Sequence, residues 1–213
     1  MTAPRLSNKT NRICSVSIEG FRSLKNIQNL VLPPLTVLIG ANGAGKSTLI
    51  RFFEMLSWML RTKSLQEFVL RHGGGDDQFF MGARVTSIIR AEVCAELDDM
   101  GFKYEFELDY LPAKDSVLIR GEHWHCEQNA FPVSAVTSHF GGASLESLLP
   151  EMDDSGAQAL CRFFSRCVTY QFHDTSPLAN IHKRWDVTES FRLRSDGGNL
   201  AAVLLDLRNT DGK

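Results

Sequence analysis

The chain has 213 residues, 43% of them hydrophobic and 23% charged, with a formal net charge of −2. That supplies a self-supporting core for one large domain and no global positive field that would draw the chain onto nucleic acid or anionic lipid. Charges break every apolar run before the roughly 20 residues of a membrane span, and MTAPRLSNKTNR lacks the apolar centre of a signal peptide, so the expectation is a cytoplasmic protein with no membrane partner.

In chain order, ICSVSIE alternates apolar Cys14, Val16 and Ile18 with polar neighbours, which predicts a half-buried strand. A GFRS turn and a short apolar stretch, Ile27 to Leu32, lead to Pro33-Pro34. Leu35 to Ile39 then forms an apolar, β-branched run that reads as a buried strand. From Lys46 the period becomes helical, with Leu49, Phe52, Phe53, Leu56, Met59 and Leu60 on one stripe. Leu65 to Arg71 predicts a further helix, and HGGGDDQ a break. Strict two-fold alternation in Arg90 to Leu97 and Phe102 to Tyr110, joined by DDMG, predicts a hairpin. Val117 to Arg120 and His123 to Phe131 continue it as an antiparallel meander. Helices are expected over Ser144 to Leu149, from Asp154-Ser155 onward, and over Asn199 to Arg208, with one returning strand at Val168 to Phe172. The domain plan is therefore strand, loop and helix over 12–62, a meander over 84–133, and a helical lobe with one strand over 144–213.

The stretch from Gly40 to Ser47 fits G-x-x-x-x-G-K-[ST] in full, between a predicted strand and a predicted helix. Glycines there let backbone N–H groups turn toward phosphate oxygens, and the positive end of the following helix adds to the attraction. Asn42, Gly43, Ala44 and Gly45 would cradle the phosphates and Lys46 would reach the β- and γ-phosphates. The Ser47 hydroxyl would hold Mg²⁺ and Thr48 would sit near the α-phosphate. The pattern, known as Walker A, speaks for ATP binding and does not by itself establish hydrolysis.

IEGFRSLKNI and VLIGANGAGKSTLIRFFEML together resemble the N-terminal lobe of the SMC/RecF-like branch of ABC-type ATPases. GGGDDQFF, TYQFHDTSPLANI and LRSDGGNLAAVL look like bacterial AAA-family ATPases of defence and repair loci. The resemblance implies an α/β fold: a P-loop NTPase lobe with an antiparallel β-meander and a helical segment. By position it implies that Arg22 and Ser23 lie beside the nucleotide, an Arg neutralising phosphate with its forked donors; a surface arginine in a turn is the alternative. It also places at Gln171 the glutamine that helps coordinate Mg²⁺ and the attacking water, with a structural polar residue at a strand end as the alternative. Nucleotide-driven dimerisation or a partner subunit, and work on DNA or on a toxic effector in repair, chromosome maintenance or phage defence, follow from the same analogy.

An ABC-type site also needs four apolar residues ending in Asp-Glu, and a serine-glycine signature from the opposing protomer. Ala202 to Asp206 is followed by Leu207 and Arg208 and reads as helix, Val168 to Asp174 is interrupted by Gln171 and His173, and FGGAS has its glycines before the serine. The expectation is a nucleotide-holding lobe without the water-activating half, belonging to a fragment, a truncated product or a subunit completed by a partner. Such a lobe would leave apolar surface uncovered and would self-associate or dissolve poorly.

Other constellations are weaker. His123 and His125 share one side of a strand but have no third ligand at a defined spacing. The five cysteines are scattered without a C-x-x-C pair, which argues against a disulfide framework or zinc ribbon. Lys183-Arg184 and Arg192 to Arg194, interleaved with Trp185 and Phe191, read as a solvated loop before they read as a nucleic-acid contact.

Overall fold

The computed structural model describes residues 11–128, 138–172, 176 and 178–211. The chain divides into two compact units, Met1–Cys167 and Val168–Lys213.

In the first unit, β1 (Arg12–Phe21) and β2 (Leu24–Val31) form a hairpin that pairs Phe21 with Leu24 and is closed by Arg22 and Ser23. The alternation read in the sequence then gives β3 (Ile88–Leu97) and β4 (Met100–Leu111), joined by Asp98 and Asp99 in left-handed backbone at φ 51 and 68. Asp tolerates that region because its short polar side chain bonds locally. The two pieces expected after it are, over the described residues, one strand, β5 (Ser116–Gln128), in which a bulge accommodates Arg120, and the expected end of the second piece at 129–131 lies outside the described residues. β6 (Ser138–Ser144) completes a six-stranded antiparallel sheet in the order β2-β1-β3-β4-β5-β6.

Period-two alternation gives the sheet two unlike faces. Val16, Ile18, Val93, Tyr104, Phe106, Leu108 and Trp124 are buried on one. On the other, Arg90 pairs with Glu19 and Glu107, and Lys103 with Glu92 and Glu105. The first α-helix, α1 (Lys46–Thr62), buries Leu49, Phe52, Met55, Leu56, Met59 and Leu60. Phe52 stacks on Phe106 with ring centroids 6.2 Å apart and meets Phe21 edge-on at 5.7 Å, which fixes α1 to the sheet. The next helix, α2 (Leu65–Arg71), has its first N–H groups satisfied by Glu146, which accepts from Leu65 at 2.8 Å and Gln66 at 3.1 Å. The α3 helix (Ser155–Phe164) starts at Asp154, whose carboxylate accepts from Gly156 and Ala157 at 2.8 and 3.0 Å.

Three expectations are corrected here. Leu35 to Ile39 forms no strand: the stretch is irregular, and Leu35, Val37 and Ile39 are 84%, 75% and 88% exposed. A run apolar on both sides becomes a strand only with hydrogen-bonded neighbours, and none of the described strands pairs with this one. Ser144 to Leu149 is not a helix; Ser144 ends β6 and a short 3-10 turn covers Leu149–Glu151. Val168 to Phe172 is likewise irregular rather than a returning strand.

The second unit contains α4 (Leu200–Asp211), as the propensities of Leu-Ala-Ala-Val-Leu-Leu require, and two 3-10 turns. Asn199 is buried and holds the preceding loop, donating to the carbonyls of Glu189 and Arg192 at 2.5 and 2.8 Å and accepting from Arg194 N–H at 2.9 Å. Arg194 lies over the Trp185 ring, 4.6 Å from its centre, so this aromatic and this cation are spent on each other.

Candidate functional site

Gly40 to Thr48 sits where the irregular stretch after β2 turns into α1. Gly43 and Gly45 have φ of 81 and 88, in the left-handed region that glycine enters at no steric cost. At Gly45 a Cβ would also lie 2.6 Å from Leu24 Cδ2, so both backbone and space require glycine there. Gly45 is the N-cap of α1 and offers no side chain, and the first turn contains no acidic residue. The first intrahelical bond runs from Leu49 N–H to Gly45 C=O at 2.9 Å. The N–H groups of Lys46, Ser47 and Thr48 therefore point out of the helix end with the positive end of its dipole behind them. That arrangement is suited to an anion.

Lys46 Nζ donates to the carbonyls of Gly40 and Ala41 at 2.9 and 2.8 Å, so the ammonium lies over the loop. Asn42 and Ala44 are exposed in the turn, where Ala44 N–H reaches Ala41 C=O at 3.2 Å, and Ser47 is exposed at the helix start. The β1–β2 turn comes to the same helix end: Ser23 Oγ and Thr48 Oγ1 are 2.6 Å apart. Arg22 and Ser23 border, with Thr48, Asp77 and Met81, a cavity of about 490 Å³. Arg22 Nη1 donates to the His72 carbonyl at 3.0 Å and to Gln78 Oε1 at 3.1 Å. Partial burial, then the nearby Arg51 charge, lowers the Arg22 pKa, while Asp77 acts in the opposite sense; a guanidinium keeps its proton through such shifts.

Arg22, Ser23, Asn42 to Thr48 and Lys46 are thus gathered around one helix terminus. Gln171 belongs to the second unit, where its side chain is exposed and its backbone N–H donates to Ser195 C=O at 2.7 Å. Gln78 was missed by sequence reasoning, which read HGGGDDQ as a break. A lone glutamine between a glycine run and Phe79-Phe80 was the available signal. His173 and Asp174 lie outside the described residues. Among the described residues no group of three His, Cys, Asp or Glu could hold a metal ion, and no helix is long and apolar enough to cross a membrane.

The family model described as AAA ATPase domain matches residues 12–139. The chain belongs to the AAA ATPase domain family. A stretch of 64 residues is 39% identical to the DNA replication and repair protein RecF of Anaeromyxobacter sp. (strain Fw109-5), covering 29% of this chain and 17% of that relative. The AAA ATPase domain here is therefore of the SMC/RecF-like kind, and it corresponds to a minor part of the relative's length. The matched 12–139 includes the glycine loop, α1, α2 and β1 to β5.

Proposed function

We propose that this SMC/RecF-like ATPase domain binds ATP with Mg²⁺ at Gly40 to Thr48, in the manner of a P-loop. The observation that carries the reading is the uncapped N-terminus of α1, reached through two glycines in left-handed backbone and covered by Lys46. The residues fit the ligand: amide donors without an acceptor, one ammonium, and hydroxyls at Ser47 and Thr48. Mg²⁺ supplies charge neutralisation between the β- and γ-phosphates when bound, and the Ser47 hydroxyl is the group that would hold it.

Hydrolysis needs a carboxylate to activate water. No apolar strand ending in Asp-Glu occurs in the 213 residues, so that group would come from a missing half of the same protein or from a partner chain. The name of the RecF relative and the family analogy extend the proposal to ATP-dependent work on DNA in the cytoplasm. The same absence of an Asp-Glu strand favours one alternative, a nucleotide sensor that binds ATP without turning it over and regulates a partner.

Titration of the chain with a fluorescent ATP analogue, alongside phosphate release, tests both readings. Binding is expected in wild type and a loss of at least tenfold in Lys46→Ala, since a charge-assisted contact to phosphate is removed. Equal binding by Lys46→Ala would refute the proposed site. Turnover by the isolated chain that Lys46→Ala abolishes would refute the claim that the water-activating group is supplied from elsewhere. ATP-dependent retention of a DNA fragment by the wild-type chain tests the DNA step.

A further inference from the structure

Arg22 occupies a position that its residue type disfavours. Its φ is 52, in the left-handed region where a non-glycine side chain costs about 1 kcal/mol or more. Glycine or asparagine would relieve that strain, yet the two-residue turn between β1 and β2 holds a long cation. A side chain retained against strain is one whose contacts matter.

Those contacts converge on Gln78, which is fully buried. Gln78 C=O accepts Arg22 N–H at 2.7 Å, and its Oε1 accepts Arg22 Nη1 at 3.1 Å. The Gln78 amide nitrogen donates to the carbonyls of Gly74 and His72 at 2.8 and 3.1 Å, and the His72 carbonyl also accepts Arg22 Nη1 at 3.0 Å. Gln78 therefore fixes the Arg22 backbone through its main-chain carbonyl and the guanidinium through its side-chain amide, which is itself fixed by the loop around it. The loop is sewn to the hairpin alongside by Phe80 N–H donating to Gly20 C=O at 2.8 Å and by the Phe21–Phe79 bridge. Both side-chain bonds from Arg22 leave Nη1, and among the described residues Nε and Nη2 donate to none. Half of the guanidinium fork is held and the other half is available to the cavity shared with Ser23 and Thr48.

We propose that Gln78 is a positioning residue that sets the Arg22 guanidinium for the phosphates of a nucleotide bound at the α1 terminus. The inference rests on the nucleotide-binding reading of Gly40 to Thr48. It gives the HGGGDDQFF segment a role: the segment is the socket of a phosphate-sensing arginine. A buried glutamine suits this work, since it bonds the cation without cancelling its charge as a carboxylate would.

The test is a set of whole 213-residue chains, Arg22→Gly, Gln78→Met, the double variant and Lys46→Ala, assayed for binding of a fluorescent ATP analogue and for thermal unfolding. Arg22→Gly is expected to weaken binding roughly tenfold, the value of one charge-assisted contact, with little change in Tm because relief of the strained backbone offsets the loss of the bond to the buried Gln78 Oε1. Gln78→Met is expected to weaken binding to a similar extent and to lower Tm. In the double variant the Gln78 change lowers Tm again but adds no further loss of affinity. Should Gln78→Met not fold, Gln78→Glu replaces it; the carboxylate draws the guanidinium charge away from phosphate, weakening binding several-fold only where Arg22 is present. Independent, additive losses, or an Arg22→Gly chain that binds as wild type, would overturn the positioning role while Lys46 dependence left the nucleotide site standing. A wild-type chain that binds no nucleotide would overturn both.

Discussion

Among the described residues, Glu122 is the charged residue type found in the core, 1% exposed. Its carboxyl group accepts from Tyr104 Oη, from Ser147 Oγ at 2.5 Å and from Leu148 N–H at 3.0 Å, tying β4 and β5 to the turn after β6. Glu122→Gln exchanges an acceptor oxygen for a donor amide where Tyr104, Ser147 and Leu148 all donate. A loss of about 1–3 kcal/mol is expected, read as a lower urea midpoint at unchanged m. The same pocket makes the fold sensitive to alkali. Burial, then Glu122, raises the Tyr104 phenol well above its usual range, and burial pushes the Cys161 and Cys167 thiols up to about 12 and about 11. Groups held protonated in this way contribute stability that is complete below their unfolded pKa values and lost as pH rises through the folded ones. Stability is therefore expected to fall between about pH 9 and 12, and the Tyr104→Phe and Cys161→Ala chains should show a shallower fall in denaturant midpoint over that window. A midpoint independent of pH across the window in wild type would contradict this account.

At the scale of elements, the sequence was legible wherever the element supplies its own partner or its own periodicity. β3 and β4 alternate strictly, β5 alternates on either side of its bulge, and the turns that join them hold residues that tolerate the required backbone, so their pairing follows from local pattern. α1 shows its stripe, and α3 shows its cap at Asp154. Asp154→Ala should cost about 1 kcal/mol, and Phe52→Ala, at the contact of α1 with Phe106 and Phe21, about 3–5 kcal/mol, both measurable by thermal unfolding. Leu35 to Ile39 and Val168 to Phe172 were misread for one reason. Composition reports only that a segment suits a strand, whereas strand formation depends on a neighbour that no local pattern reveals. The site was legible to the same degree. Gly40 to Thr48 is contiguous, and spacing found it. The Arg22–Gln78 contact joins residues 56 positions apart, and only the folded hairpin and loop bring them together.

For the whole molecule, the most consequential feature is what leads into the glycine loop. Leu35, Val37 and Ile39 expose most of their surface in succession, next to a cavity of about 650 Å³ lined by Leu38, Leu49, Ile50 and Phe53 together with Lys46 and Ser47. An apolar, β-branched segment with unpaired backbone groups is a template for strand addition. The chain is therefore expected to self-associate in solution with increasing concentration, through this segment, rather than through the ion-paired outer face of the sheet. Val37→Lys and Ile39→Lys place charge on the exposed side, where it obstructs edge-to-edge pairing at no cost to the packed core. Light-scattering mass measured over a concentration series should rise for wild type and stay near the monomer value for the lysine variants, with their Tm unchanged. The segment also carries Gly40, whose carbonyl holds Lys46, so ordering it by pairing bears on the loop directly. If association and nucleotide binding share this segment, saturating ATP should shift the mass series in wild type and leave the lysine variants monomeric. A wild-type chain that stays monomeric across the series, with and without ATP, would show that Leu35 to Ile39 templates no strand.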